Sequence, residues 1–280
     1  MGNDCLDSEG KRNLVIIGKE PAQSGRFNMA FDECLFESAE TLGADCWRLY
    51  LWDPPAVSIG RNQRTEKAVN METVRTNNIT VVRRLTGGRA IWHSGDVCFT
   101  HSGVTPGITD TISAFKDDYM RAAGVIIKFL DILGVRASIS SGHPMDRIGL
   151  ARVKAPCFQS SGRYEITVEG RKIAGIAQYR SADRFLIQGS IRLEPVDAMN
   201  ARLFFEKSRE GAASFRQFCQ MVTSIDESLN HRVSFEELVA AFLTALDCKI
   251  EDIVDPVDLS VFPCPREIQE SAGESHRDGG

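Results

Sequence analysis

Cys157 and Lys172 lie fifteen positions apart on either side of one strand-like run, and a thiol with an ammonium nearby holds the parts of a nucleophilic site. Cysteine is a weak nucleophile until it ionises, and a neighbouring cation lowers its pKa by favouring the thiolate. Two strand-like runs, Tyr164–Val168 and Arg171–Ala177, flank Glu169-Gly170 as a two-residue hairpin turn. In the simplest register Val168 faces Arg171 and Thr167 faces Lys172. That directs Lys172 away from the face of Ile166, Val168 and Ile173, onto a polar face that borders either a site or bulk solvent. Taken singly, a lone cysteine is usually a small packing residue and a strand lysine usually a surface residue.

A second constellation is the run Arg83-Arg84-Leu85-Thr86-Gly87-Gly88-Arg89-Ala90-Ile91-Trp92-His93, a strand that ends in paired glycines and restarts as another strand. Glycines let backbone N–H groups approach a ligand, and flanking arginines can balance a phosphate or carboxylate. Arg84, Thr86, Gly87, Gly88 and His93 are the candidate substrate-binding residues here; the plain alternative is a tight turn with solvated arginines. His93 and His101 have the chemistry of a general base or of a donor to an acyl oxygen, His101 being better read as structural. Cys98 is a rival nucleophile, but in the alternating run Val97–His101 a buried strand position accounts for it. No metal site is expected.

These residues need a scaffold, and 280 residues with 42% hydrophobic content can bury one sizeable core. With 33 Lys+Arg against 38 Asp+Glu the formal charge is −5, which disfavours a protein whose affinity comes from neutralising nucleic-acid phosphates. No run of about 18 apolar residues is present and the first residues are polar, so neither membrane insertion nor secretion is indicated and the cytoplasm is expected. The eight cysteines are scattered without a C-x-x-C pair and read as separate thiols.

Asn28 is placed to cap a helix running to about Thr41. Strand-like runs follow at Cys46–Tyr50, Ala56–Ile59, Ile79–Arg84, Ala90–Trp92 and Val97–Ser102. The spacing of Ile112, Phe115, Tyr119, Ala122, Ile126, Phe129 and Leu133 predicts the clearest helix of the chain, stopped by Gly134. Ser138–Met145 reads as a loop and Phe185–Leu193 as a closing strand, while Ser234 and Glu237 form a capping-box pattern for a helix to about Leu246. The expected fold class is α+β, a mixed, largely antiparallel sheet flanked by helices. A catalytic domain over 14–205 carries a small helical C-terminal element over 206–263, with flexible tails at 1–13 and 264–280.

Over roughly Phe27–Phe262 the motifs resemble the biotin/lipoate protein ligase and transferase superfamily, and within it the cysteine-dependent octanoyltransferases of the LipM type. The resemblance rests on Asn28-Met29-Ala30-Phe31-Asp32, Leu49-Tyr50-Leu51-Trp52, Ser58-Ile59-Gly60 with Gln63, and the paired-glycine segment. It continues through Cys157-Phe158, Tyr164-Glu165-Ile166, the run from Gly170 to Gly175, Ala177-Gln178-Tyr179-Arg180 and Gln188-Gly189-Ser190. It implies an acyl pocket beside the glycine turn, bounded also by Gly175 and Ala177. Cys157 would attack octanoyl-acyl carrier protein and pass the acyl group to a lysine of a lipoyl-domain protein, such as glycine-cleavage H protein or an E2 subunit. Lys172 would favour the thiolate and stabilise the oxyanion; no cofactor is implied and a monomer is expected. Arg83, Arg84, Arg89, Arg163 and Arg171 are candidates for a basic patch facing acidic carriers.

Three positions depart from the family pattern. Arg89 stands where ATP-dependent lipoate ligases commonly have a third glycine, Ser94 follows the histidine where an aspartate is frequent, and Ile176 replaces a small residue. The rival readings are an ATP-dependent lipoate ligase, which would not need Cys157, and an amidotransferase moving octanoyl between two lipoyl-domain proteins. A non-catalytic acyl-binding module is the alternative from a different class.

Overall fold

A computed structural model of the chain describes residues 5–6, 12–18, 21–141, 164–206, 211–250 and 253–254. The elements run β1 (Cys5–Leu6), β2 (Arg12–Ile16), β3 (Ala22–Gln23), α1 (Gly25–Glu37), α2 (Ala39–Leu42), β4 (Asp45–Trp52), β5 (Ala56–Ile59), α3 (Thr65–Ala68), α4 (Met71–Thr76), β6 (Thr80–Arg83), β7 (Ile91–His93) and β8 (Asp96–Val104). There follow α5 (Thr111–Ile132), β9 (Ser138–Ser141), β10 (Tyr164–Val168), β11 (Arg171–Ser181), β12 (Arg184–Arg192), α6 (Ala198–Phe204), α7 (Gly211–Met221), α8 (Ile225–Leu229), α9 (Phe235–Ala245) and β13 (Ile253–Val254).

The α+β expectation holds. Among the described residues a ten-stranded sheet has the order β1-β2-β4-β8-β12-β11-β10-β9, with β13 on β2 and β3 on β4, and a smaller sheet has the order β6-β5-β7. Most pairings are antiparallel; β2–β4, β3–β4, β13–β2 and β5–β6 are parallel. Side-chain alternation divides the central strands between two environments. Val97 and Phe99 of β8, with Trp47, Leu49, Phe185 and Ile187, face the core built with α5 and α9. The alternate positions Cys98, Thr100 and Ser102 face the other way and carry polar groups. Gly189 is paired with Phe99 across β12 and β8, and a Cβ there would drive into the Phe99 ring, so this glycine makes room for a core aromatic.

Helix α5 follows its sequence pattern, with Asp110 as cap accepting from the Ile112 N–H. Ala122, Ile126 and Phe129 are wholly buried, but the buried stripe begins later than the spacing suggests, since Ile112 and Phe115 are exposed. Helix α9 opens with the expected capping box between Ser234 and Glu237, and Phe242 packs edge-on against Trp47 and Phe129.

Other expectations change. Helix α1 starts earlier, capped by Ser24. Asn28 is buried inside it, donating to the Gln23 and Leu51 carbonyls and accepting from Arg48, a set of fixed partners that outweighs its local capping propensity. Within the expected 1–13 tail, β1 and β2 pair with each other, and β2 joins β4 because Leu14, Val15 and Ile16 are buried. Part of the expected 138–145 loop, Ser138–Ser141, is strand β9, held by pairing to β10. The C-terminal element is not purely helical, since β13 extends the main sheet. Cys34 and Cys248 are each disulfide-bonded rather than free thiols, which their scattered sequence positions do not reveal. The 264–280 tail lies outside the described residues.

Candidate active site

The polar face of the central strands meets α1 and the small sheet around a narrow cleft of ≈ 30 Å³, well below the volume of a pocket already open to a ligand. Its walls come from Met29 on α1, Tyr50 and Trp52 on β4, Ser58 on β5, Arg84 after β6, Ile91 and His93 on β7 and Cys98 on β8. Gly175, Ile176 and Ala177 on β11 and Gln188, Gly189 and Ser190 on β12 complete the lining. An apolar lining punctuated by a few fixed polar groups suits a short alkyl chain with a polar end.

Those polar groups are held by one another. Asp32 accepts from Arg48 at 2.9 Å, Tyr50 at 3.0 Å and Gln188 at 2.7 Å, and Thr86 donates to Gln188 at 2.7 Å. His93 stacks on Trp52 with 3.9 Å between ring centroids. Its two ring nitrogens contact Ser58 Oγ and Asp96 Oδ2, each at 2.8 Å. Ser190 donates to Asp96 at 2.6 Å. Burial alone would raise the Asp96 carboxyl, but His93, Ser190 and Arg192 together hold it below the usual range. With both nitrogens engaged, His93 shapes the wall; it would reach an acyl oxygen only by giving up Ser58.

The guanidinium of Arg84 is buried and turned inward. It donates to the Gly87 carbonyl at 3.2 and 2.8 Å, to the Arg89 carbonyl at 2.7 Å, and to the backbone and hydroxyl oxygens of Ser58 at 3.3 and 2.9 Å. It therefore braces the glycine turn against the pocket wall, contrary to the expectation of a solvent-facing arginine available to a partner. The turn also abuts Gly60, where a Cβ would collide with the Gly88 carbonyl. Gly87 and Gly88 thus shape the pocket from behind; of the expected binding residues Arg84, His93, Gly175 and Ala177 line it, and Thr86 does not.

Lys172 stands on β11 beside Gly175, a residue of the cleft wall, without itself lining the cleft. The observed register repeats the expected one, Thr167 opposite Lys172 and Val168 opposite Arg171, with a bulge before Ala174. Lys172 is only 6% exposed, which removes the bulk-solvent alternative. Its ammonium donates to Glu165 Oε1 at 2.7 Å and lies 3.9 Å from where a Gly175 Cβ would be. A glycine at 175 thus puts no side chain between the ammonium and the cleft wall. Thr223, from the C-terminal part, fixes the strand by donating to the Lys172 carbonyl at 2.9 Å.

Cys157 and Arg163 lie outside the described residues. Cys98 does line the cleft, but burial, reinforced by the Asp96 carboxylate, pushes its thiol well above the ordinary range, and it accepts from the Trp52 indole at 3.2 Å. A protonated, buried thiol is a poor nucleophile. The donor atoms of His93, Asp96 and Cys98 lie within 4.8 Å of one another, compact enough to ligate a cation, while their mutual and neighbouring hydrogen bonds already account for the arrangement. His101 is structural as expected, bonded to Asp45 at 3.2 Å and stacked on Trp47 at 3.7 Å. The sequence reading did not single out Glu165, Ser58, Asp96 or Gln188 as functional; a carboxylate seven positions before Lys172 across a hairpin was the available signal for Glu165.

This pocket, the braced glycine turn and the buried strand lysine are features of an acyl-handling domain, and the chain belongs to the lipoyl protein ligase A/B catalytic domain family, whose model matches residues 24–247. Among curated relatives it is similar to octanoyltransferase LipM of Exiguobacterium sp., 35% identical over 78% of this chain and 79% of that one. It is also similar to octanoyltransferase LipM of Moorella thermoacetica, 34% identical over 77% and 80%. In fold it matches a crystal structure of lipoate-protein ligase A bound with ATP, at a TM-score of 0.68 and 19% identity, over 94% of this chain and 93% of that one. A bipartite lipoate protein ligase from Thermoplasma acidophilum matches with a TM-score of 0.66 and 18% identity, over 94% and 90%.

Proposed function

We infer that the chain is an acyltransferase of lipoate biosynthesis that moves an octanoyl group from acyl carrier protein to a lysine of a lipoyl-domain protein. It acts in the cytoplasm as a monomer, through a thioester on Cys157. The observation that carries the reading is a buried ammonium, Lys172, set against an apolar cleft whose own thiol, Cys98, is held protonated. Covalent transfer from this cleft requires a nucleophile other than Cys98.

In the first step the Cys157 thiolate adds to the octanoyl thioester carbonyl. The tetrahedral oxyanion collapses, the carrier leaves as its thiolate and is protonated, and octanoyl-S-Cys157 remains. Lys172 supplies positive charge to the thiolate and to the developing oxyanion. In the second step a neutral lysine amine of the acceptor attacks the same carbonyl, an amide forms, the amine releases a proton and the Cys157 thiolate is regenerated. The first step exchanges one thioester for another and conserves acyl-transfer potential, and the fall from thioester to amide drives the second, so no nucleotide is consumed.

The inward commitment of Arg84 and the presence of Arg89 in place of a third glycine favour this transferase over an ATP-dependent ligase, since the turn offers no outward Arg84 to a phosphate. The test is product formation on a lipoyl-domain acceptor, either glycine-cleavage H protein or an E2 domain. Octanoylation from octanoyl-acyl carrier protein without ATP is expected. Product only from free octanoate plus ATP would assign a ligase instead.

A further inference from the structure

The chain is acidic overall, with a formal charge of −5, so an acidic protein approaching it at random meets repulsion. Productive docking then depends on a local concentration of positive charge. Of the arginines expected to supply it, Arg84 is buried in the turn. Arg171 is turned onto the Val222 carbonyl at 2.6 Å and towards Glu227 at 3.3 Å. The structure keeps Arg83 of the expected set and gathers other cations around it.

Arg61, Arg64, Lys67 and Arg83 are all exposed, and none of the four forms an ion pair with a carboxylate among the described residues. Arg83 ties them into one surface. Its guanidinium donates to the carbonyls of Gly60, Arg61 and Gln63 at 3.0, 3.0 and 2.8 Å, which gathers the 60–63 loop around a cation and orders the chain leading into α3. The acceptors of Arg83 Nη1 are neutral carbonyls, which leave its charge uncompensated. Arg61 lies over the Tyr179 ring, 4.5 Å from its centroid. Tyr179 is on β11, two positions beyond the pocket residue Ala177, or about 7 Å along the strand. The basic surface therefore adjoins the cleft at the end of β11 away from Lys172.

We propose that Arg61, Arg64, Lys67 and Arg83 form the docking surface for the acyl donor, an acidic carrier protein that lays its thioester arm along β11 towards Lys172. The proposal rests on the octanoyltransfer reading and adds to it the place where the donor sits. Opposite charge across a solvent-exposed rim acts on encounter and on donor affinity more than on the bond-making step.

The experiment compares wild type with the triple variant Arg61→Glu, Arg64→Glu, Lys67→Glu, leaving Arg83 in place because it orders the loop. Fluorescence anisotropy reads the binding of labelled octanoyl-acyl carrier protein at about 50 and about 300 mM salt, a range over which screening shortens the Debye length severalfold. A small uncharged octanoyl thioester serves as donor in a parallel transfer assay. Wild type is expected to bind the carrier more weakly at high salt, and the variant to bind at least about tenfold more weakly at low salt, with transfer from the small thioester within about twofold of wild type. Carrier binding unchanged in the variant, no carrier binding by wild type, or a loss confined to the lipoyl-domain acceptor would each overturn the docking surface. Failure of wild type to transfer from the small thioester would instead count against the octanoyltransfer reading, which keeps the two separable.

Discussion

The Glu165–Lys172 pair is the most specific feature of the site at the level of single residues, because both side chains are at least 93% buried and meet at 2.7 Å. Removing one member of a buried ion pair costs about 3–5 kcal/mol, since the remaining charge keeps its desolvation penalty. Glu165→Gln is therefore expected to lower unfolding free energy by about that amount in denaturant titration and to reduce kcat for transfer. Glu165→Asp, which retains the charge, should recover part of both, and equal stability of Glu165→Gln and wild type would show that the pair contributes little. Asp96 gives a pH signature. Its folded carboxyl is held below the ordinary value, so the stability it adds is present above an unfolded pKa of about 3.9 and is lost as pH falls from there towards the lower folded value. Asp96→Asn should flatten that part of the stability profile in thermal melts from about pH 5 downward; an unchanged acid limb would contradict this. Lys172 was legible in the sequence as a residue on a polar strand face, but its burial was not, because alternation specifies a face and says nothing of what covers it.

Among the elements, the glycine turn behaves differently from its sequence signature. Paired glycines beside arginines read as a ligand cradle, whereas Arg84 closes the turn on itself and Gly60 packs against it. The two classes of glycine should separate experimentally. Gly60→Ala places a methyl against the Gly88 carbonyl, while a Cβ at Gly87 meets nothing within 4 Å. The first is expected to destabilise by about 1–3 kcal/mol and to lower transfer activity, the second to leave unfolding free energy nearly unchanged; similar effects from both would undo the packing account. Helices α5 and α9 were legible because their periodicity and caps are local. Strands β1, β2 and β9 were not, since short strands with weak patterns take their structure from a partner strand distant in sequence.

For the whole molecule, the C-terminal part is structurally inseparable from the catalytic part. Strand β13 pairs with β2, Thr223 holds the backbone of Lys172, and Phe242 joins Trp47 and Phe129 in the main core. Phe242→Ala should cost about 3–5 kcal/mol and shift one common unfolding transition, followed by both circular dichroism and tryptophan fluorescence. A separate early transition that leaves the catalytic part folded would contradict the shared core. Fold class and family were readable from motif order across most of the chain, while Cys157, on which the proposed covalent step turns, lies outside the described residues. The most direct test is intact-protein mass spectrometry after mixing the enzyme with octanoyl-acyl carrier protein in the absence of ATP. The account predicts a gain of one octanoyl group on wild type and on Cys98→Ala, and none on Cys157→Ala. An octanoyl adduct that persists in Cys157→Ala, or none on wild type while transfer proceeds, would contradict it.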